Sequence, residues 1–187
     1  MEFKKINTKT SIFVLLLLTV SCAKSDRIDI EYQDKYKIEK VYKNNRLISS
    51  KTFEDEKLIW HAEYKNGKLQ KGIEYYPDQT VKTVSELIKS PNHFYNVLYR
   101  KNGKIKSKGE SDFFMKDKTF LKRGGTIYYT EDGKISEIMV FEHNDKKEFL
   151  IRHTILDTIT DTIIVDKVYD PPMTVEEYNA NYFISIN

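Results

Sequence analysis

Four histidines, His61, His93, His143 and His153, are the first side chains to test for chemistry. A metal-binding helix would carry them at a spacing such as His-Glu-x-x-His, which sets two imidazoles on one face. They are instead scattered, His61 and His153 on predicted strands and His93 and His143 near predicted turns, and read as ordinary surface or half-buried residues. Carboxylates recur at Asp157, Asp161, Asp166 and Asp170. A calcium loop of the EF-hand type needs Asp-x-Asx-x-Asx-Gly, so this spacing suits strand ends and a solvated face. No serine stands in a Gly-x-Ser-x-Gly elbow, and no glycine-rich phosphate loop occurs. A hydrolase would need a cleft that joins an aspartate or glutamate with a histidine. No catalytic, cofactor-binding or metal-ligating residues are expected, and the chain reads as a non-enzyme.

The residue with the clearest chemistry is Cys22, the single cysteine, which rules out an intramolecular disulfide. It follows a basic segment with Lys4, Lys5 and Lys9, an apolar run from Ile12 to Leu18, and Thr19-Val20-Ser21. That order is a charged region, a short hydrophobic region and a small-residue cleavage site, too short for a membrane span of roughly 20 residues. Leu18-Thr19-Val20-Ser21-Cys22 resembles the lipobox of bacterial lipoproteins, with Thr19 where leucine is usual. The resemblance implies a signal peptide over residues 1–21 and lipidation at Cys22, with palmitate among the acyl chains. Acyl chains anchor stably in combination, because each buried methylene contributes about 0.8 kcal/mol. Neither Ala23 nor Lys24 resembles the aspartate that retains many lipoproteins in the inner membrane, so the expected address is the outer membrane of a Gram-negative bacterium.

Removing the leader takes away Glu2 and three lysines, so the formal charge falls from +3 to +1. The basic balance is a targeting feature and argues against a nucleic-acid partner. Lys68, Lys104 and Lys134, each directly after a turn glycine, would line one edge if the tips stack; guarding strand ends is the simpler role. Trp60, Tyr64, Tyr75, Tyr76, Tyr99, Tyr128 and Tyr129 cannot all enter one thin core. Doublets such as Tyr75-Tyr76 and Tyr128-Tyr129 put one ring on each face of a strand. Those rings either form stabilising ladders or line a concave surface for a protein strand or a sugar.

The elements that position these residues follow from one recurring pattern: an aromatic, two or three polar residues, a turn, a lysine, then an aliphatic. Its sharp copies are Tyr64-Lys65-Asn66-Gly67-Lys68-Leu69, Tyr99-Arg100-Lys101-Asn102-Gly103-Lys104-Ile105 and Tyr129-Thr130-Glu131-Asp132-Gly133-Lys134-Ile135. Asn-Gly or Asp-Gly between alternating apolar residues predicts a type I′ hairpin. Further tips are expected at Asn44-Asn45, Asp55-Glu56, Asp78-Gln79, Pro91-Asn92, Lys116-Asp117 and Asn144-Asp145. The alternation predicts Leu58, Trp60, Ala62 and Tyr64 on one face, and a shared face for Leu69, Ile73 and Tyr75. Together these give an all-β fold, an elongated antiparallel β-meander of stacked hairpins with roughly nine to eleven strands.

Asn66-Gly67-Lys68-Leu69-Gln70-Lys71-Gly72-Ile73-Glu74-Tyr75-Tyr76 resembles the MORN repeat variant of bacterial lipoproteins and YwqK-type antitoxins. Two other segments are similar to it: Asn102-Gly103-Lys104-Ile105 with Gly109 and Phe113, and the stretch from Gly125 to Lys134. The resemblance covers residues 36–149 and implies stacked hairpins without shared catalytic residues.

The expected organisation is a lipidated tether over 22–35, a β-repeat domain over 36–168 and a helix with tail over 169–187. Strands are predicted at 148–156 and 158–165, with Asp170-Pro171-Pro172 breaking the sheet. Thr174-Val175-Glu176-Glu177 is a capping box for a helix over 175–181. Tyr182, Phe183, Ile184 and Ile186 are expected to dock on the sheet. The functional expectation is an outer-membrane-anchored lipoprotein that binds a protein partner as a scaffold module, needing no cofactor. The alternative is an immunity or antitoxin-like protein that neutralises a toxin by direct binding.

Overall fold

The structure is a computed structural model that describes residues 26–144 and 146–185. The expected leader, Cys22 and Asp145 lie outside the described residues. Twelve strands follow one another: β1 (Arg27–Gln33), β2 (Tyr36–Lys43), β3 (Arg46–Glu54), β4 (Lys57–Lys65), β5 (Lys68–Tyr75) and β6 (Val81–Lys89). They continue as β7 (His93–Tyr99), β8 (Ile105–Phe114), β9 (Thr119–Tyr129), β10 (Ile135–His143), β11 (Glu148–Leu156) and β12 (Ile163–Thr174), and helix α1 (Val175–Ser185) follows. The strands form one sheet in chain order, the all-β antiparallel meander the sequence predicts.

Twelve strands exceed the nine to eleven expected, the strand expected at 158–165 starts at Ile163, the helix expected over 175–181 runs to Ser185, and two domain boundaries need correction. Residues 27–33, expected in the tether, form β1, because Ile28 and Ile30 alternate with polar residues and pair in register with Val41 and Glu39 of β2. The sheet also runs past residue 168, to Thr174. Asp170-Pro171-Pro172 does not end it: Arg152 pairs with Val168 and Leu150 with Met173, so residues 169–172 loop out as a bulge. Prolines in a bulged edge strand owe no ladder hydrogen bond. The capping box forms: the Glu177 amide donates to Thr174 Oγ1 at 3.2 Å, and the Thr174 amide donates to Glu177 Oε2 at 3.0 Å. Of the residues expected to dock, Ile186 and the side chains of Tyr182, Phe183 and Ile184 lie outside the described part.

The tips divide into two classes. Asn44-Asn45, Asp55-Glu56 and Asn66-Gly67 each have both φ angles positive, as a two-residue type I′ turn requires. At Asn102-Gly103 and Asp132-Gly133 only the glycine does, with φ of +79° and +86°. There the Gly103 amide donates to the Arg100 carbonyl at 2.9 Å, a type I turn closed by a left-handed glycine. The expected type I′ geometry at these two tips is therefore corrected. One more residue separates tyrosine from glycine than at Tyr64–Gly67, and the longer loop takes the other turn.

Most hairpins carry one extra residue just past the turn. Ile48, Ile59, Gln70, Lys82, Lys106, Ser136 and Ile164 are each skipped by the register. A β-bulge bends the strand and increases its twist. The bulge at Gln70 also changes faces: Leu69 pairs with Tyr64, and Gly72 with Ala62, while Ile73 pairs with His61 on the other side. Leu69 and Ile73 thus do not share the face that plain alternation predicts.

Repeated bends roll the sheet. In a flat sheet, β4 and β9 would lie roughly 24 Å apart, at about 4.8 Å per strand. The rings of Trp60 on β4 and Phe120 on β9 are instead 6.5 Å apart. The roll is possible because cross-strand neighbours along the middle of the inner face are small: Ser50, Ala62, Gly72, Ser85, Asn96, Gly109 and Thr126. Bulkier residues flank this row. Phe94 is fully buried and meets Phe120 edge-on at 5.4 Å and Phe113 at 6.0 Å, beside Ala62 and Leu69. Such aromatic pairs contribute about 0.5–1.5 kcal/mol beyond the area they bury.

Candidate functional site

The inner face of the roll holds a trough of 290 Å³. Its floor is the small central row, with Ser85 from β6, Asn96 from β7, Gly109 from β8 and Thr126 from β9. Ser107 and Ser111 add hydroxyls from β8, and Trp60 and Phe120 form an apolar wall. The Trp60 ring lies directly over Gly72; a Cβ there would fall 2.3 Å from its Cη2. At the ends, Glu74 accepts from Lys82 at 2.7 Å and from Thr83 at 3.1 Å. Glu148 accepts from the Lys122 amide at 2.5 Å, and the Lys122 ammonium lies 4.0 Å from its other oxygen. Each carboxylate therefore has a cation beside it, so the trough carries little net charge.

Further along the inner face, Tyr128 stands between Ser107 and Glu137. Burial first, then the charges of Glu137 and Glu148, push its phenol up to about 12. His153 pairs with Met139 beside it; its Nε2 donates to Glu137 Oε2 (3.0 Å), and its Nδ1 hydrogen-bonds the Tyr178 hydroxyl of α1 (3.1 Å). Tyr178 stands edge-on to the His153 ring at 5.6 Å, and this contact seats the helix on β11.

The structure does bring histidines to carboxylates, at positions that no local sequence pattern links. Asp112 on β8 is the centre of one cluster. His93 Nδ1 lies 2.8 Å from its Oδ1, while His143 Nε2 and the Arg123 guanidinium lie 3.1 Å from Oδ2. The other ring nitrogen of His93 meets Glu110 at 2.8 Å. Burial alone would raise the Asp112 carboxyl; hydrogen bonds from His93 and His143 and the Arg123 charge outweigh it and hold it below the usual range. His143 Nδ1 faces the Asn144 carbonyl at 3.2 Å. His93, His143 and His153 thus have both ring nitrogens hydrogen-bonded within the protein, and Glu110, Arg123 and His143 line a second cavity. His61 meets Ser49 Oγ at 3.1 Å.

The remaining sequence candidates separate. Asp157 caps its own turn, accepting from the amides of Ile159 (2.7 Å) and Thr160 (3.1 Å). Asp166 is held by Arg152, at 2.7 and 2.5 Å. The tip lysines are not a free basic edge: Lys104 donates to the Glu131 carbonyl at 2.7 Å and Lys134 to the Thr158 carbonyl at 2.6 Å. Each thereby ties its tip to the next one along the roll, and Lys68 reaches Ser90 Oγ at 3.3 Å in the same manner. Of the tyrosine doublets, Tyr128 faces inward, while Tyr129 carries the Lys108 ammonium 5.1 Å from its ring centre on the outer face.

The fold and site define a rolled, open β-meander with a polar-floored trough. No family model matches the chain, and no curated protein does. Among solved structures it is similar to a mutant of S. aureus TarM in complex with fondaparinux, alpha-GlcNAc-glycerol and UDP, with 12% identity and a TM-score of 0.21. That match covers 71% of this chain and 24% of the other, and at that score it bears on neither fold nor function.

Proposed function

We propose that this protein is a lipid-anchored, non-enzymatic binding module of the bacterial outer membrane, held by acyl chains on Cys22 and engaging a protein partner. The observation that carries the reading is the pair of open lateral edges. Among the described residues no strand pairs with the outer side of β1 or β12. Both edge strands leave aliphatic side chains exposed, Ile28 and Ile30 on β1 and Ile163, Ile164 and Val168 on β12. An open edge offers backbone donors and acceptors to an added strand, with side-chain contacts supplying selectivity.

The anchor distinguishes the two edges. Four residues separate Cys22 from the start of β1 at Arg27, a span of five Cα–Cα steps. Fully extended they reach at most roughly 18 Å, which keeps the β1 edge close to the bilayer. The β12 edge is at the opposite end of the sheet and is the one left for a partner. The repeat's resemblance to lipoprotein modules without shared catalytic residues supports binding.

The test is photo-crosslinking in living cells, with a photoreactive residue at Ile164, at Ile28, or at Tyr95 on the outer face as control. A defined adduct from position 164 that disappears with Ile163→Lys supports the reading. Equal adducts from all three positions, or none from 164, would overturn it.

A further inference from the structure

We infer that the inner trough is a binding site for one neutral pyranose unit of a sugar or glycan. Shape, lining and charge each point the same way. A volume of 290 Å³ suits a single six-membered ring with its substituents better than an extended chain. A pyranose presents C–H bonds on its faces and hydroxyls around its rim. The trough mirrors that, with the Trp60 and Phe120 wall on one side and a hydroxyl and amide floor below. The two rings meet at 59°, so they form a continuous bent wall against which one sugar face can rest.

The floor has hydrogen-bonding capacity to spare. Asn96 Nδ2 donates to Ser111 Oγ at 2.6 Å, which fixes the amide. The hydroxyls of Ser85, Ser107 and Thr126 take part in none of the side-chain hydrogen bonds among the described residues. Yet the only buried side-chain polar atom among those residues without a hydrogen bond is Arg100 Nε, so the three hydroxyls keep access to the trough. Unused hydroxyls beside the apolar wall favour a ligand that presents both C–H faces and hydroxyls over an acyl chain. Glu74 and Glu148 disfavour an anionic sugar, and Lys82 and Lys122 already neutralise them, which disfavours a cationic one. This surface is distinct from the β12 edge, so its test stands or falls separately.

Trp60 is the only tryptophan and forms the trough wall, so its emission reports occupancy directly. The full chain, held in a detergent that contains no sugar, is titrated with D-glucose, D-galactose, D-mannose and N-acetyl-D-glucosamine. D-glucuronate and glucosamine serve as charged probes, and cyclohexanol as a six-membered ring without the rim of hydroxyls. The expected result is a saturable change with at least one neutral sugar, with Kd about 0.1–10 mM, as suits a ligand of so few atoms. Ser85→Ala combined with Thr126→Val weakens that binding about tenfold, the loss expected for two modest hydrogen bonds, while the circular dichroism spectrum stays the same. No saturable change with any neutral sugar up to roughly 100 mM would overturn the inference, since a built site of this volume should fill by then. Equal or tighter binding of cyclohexanol or of either charged probe would overturn it too.

Discussion

Gly72→Ala is the sharpest probe of the roll, because the sign of its effect depends on the contact between distant strands. In an ordinary strand interior, replacing glycine by alanine stabilises a protein by about 0.5–1 kcal/mol, chiefly by restricting the unfolded chain. At Gly72 the added methyl would sit 2.3 Å from Trp60 Cη2 and 2.6 Å from Cζ2. Phe120 stands 6.5 Å away between centroids, so the ring can yield only by moving out into the trough and giving up that contact. Overpacking of this kind costs about 1–3 kcal/mol, which outweighs the backbone gain. Gly125 is the internal control: a Cβ there meets nothing within 4 Å, and its φ is not in the left-handed region. Urea unfolding of the two variants, followed by Trp60 emission, should place Gly72→Ala below wild type and Gly125→Ala at or slightly above it. Native Gly72→Ala should also emit further to the red as its ring is displaced. A Gly72→Ala protein as stable as wild type, with unchanged emission, would refute the placement of Trp60 and with it the roll.

Two titrations test the buried groups. The Tyr128 phenol is raised to about 12 from an ordinary value of 10.0, so its neutral form stabilises the fold fully below pH 10. That contribution, about 2–3 kcal/mol for a shift of this size, is lost as pH rises from 10 towards 12. Absorbance at about 295 nm should show that Tyr128→Phe removes the latest-titrating tyrosine; a wild-type curve identical to the variant's contradicts the burial. For Asp112 the sign is opposite. Its carboxyl is depressed below 3.8, so its contribution is complete above that pH and is lost as pH falls through its folded value. Asp112→Asn should cost about 2 kcal/mol near neutrality, the scale of a charge-assisted hydrogen bond, and flatten the acid limb of thermal unfolding. An unchanged acid limb would rule out the cluster with His93, His143 and Arg123.

Much of this architecture is legible in the sequence, and the illegible part has a physical cause. The turn tips announce themselves through Asn, Asp and Gly, and even the two turn classes are written in the spacing, three residues from Tyr64 to Gly67 against four from Tyr99 to Gly103. The capping box at Thr174 is a local pattern, and it forms as read. The bulges are not legible, because Ile48, Gln70, Lys106 and Ser136 share no residue type; the extra residue is set by the twist of the pair. Missing them misplaces Ile73 and hides the roll. The trough is hidden for the same reason: Trp60 and Phe120 are sixty positions apart, and only the summed bending of five strand pairs unites them. The Asp112 cluster likewise gathers residues from β7, β8, β9 and β10. Its one sequence sign is alternation, which places His93 and Asp112 opposite each other once the β7–β8 register is known.

In the proposed reading a partner-binding sheet sits on a lipid tether, and its address depends on Cys22. The most direct measurement expresses the full chain and its Cys22→Ala variant in a Gram-negative host, labels both with a fatty-acid analogue and separates the membranes. The account predicts label on the wild type alone, with that protein in the outer-membrane fraction. Unlabelled wild type, soluble in the periplasm alongside the variant, would contradict it.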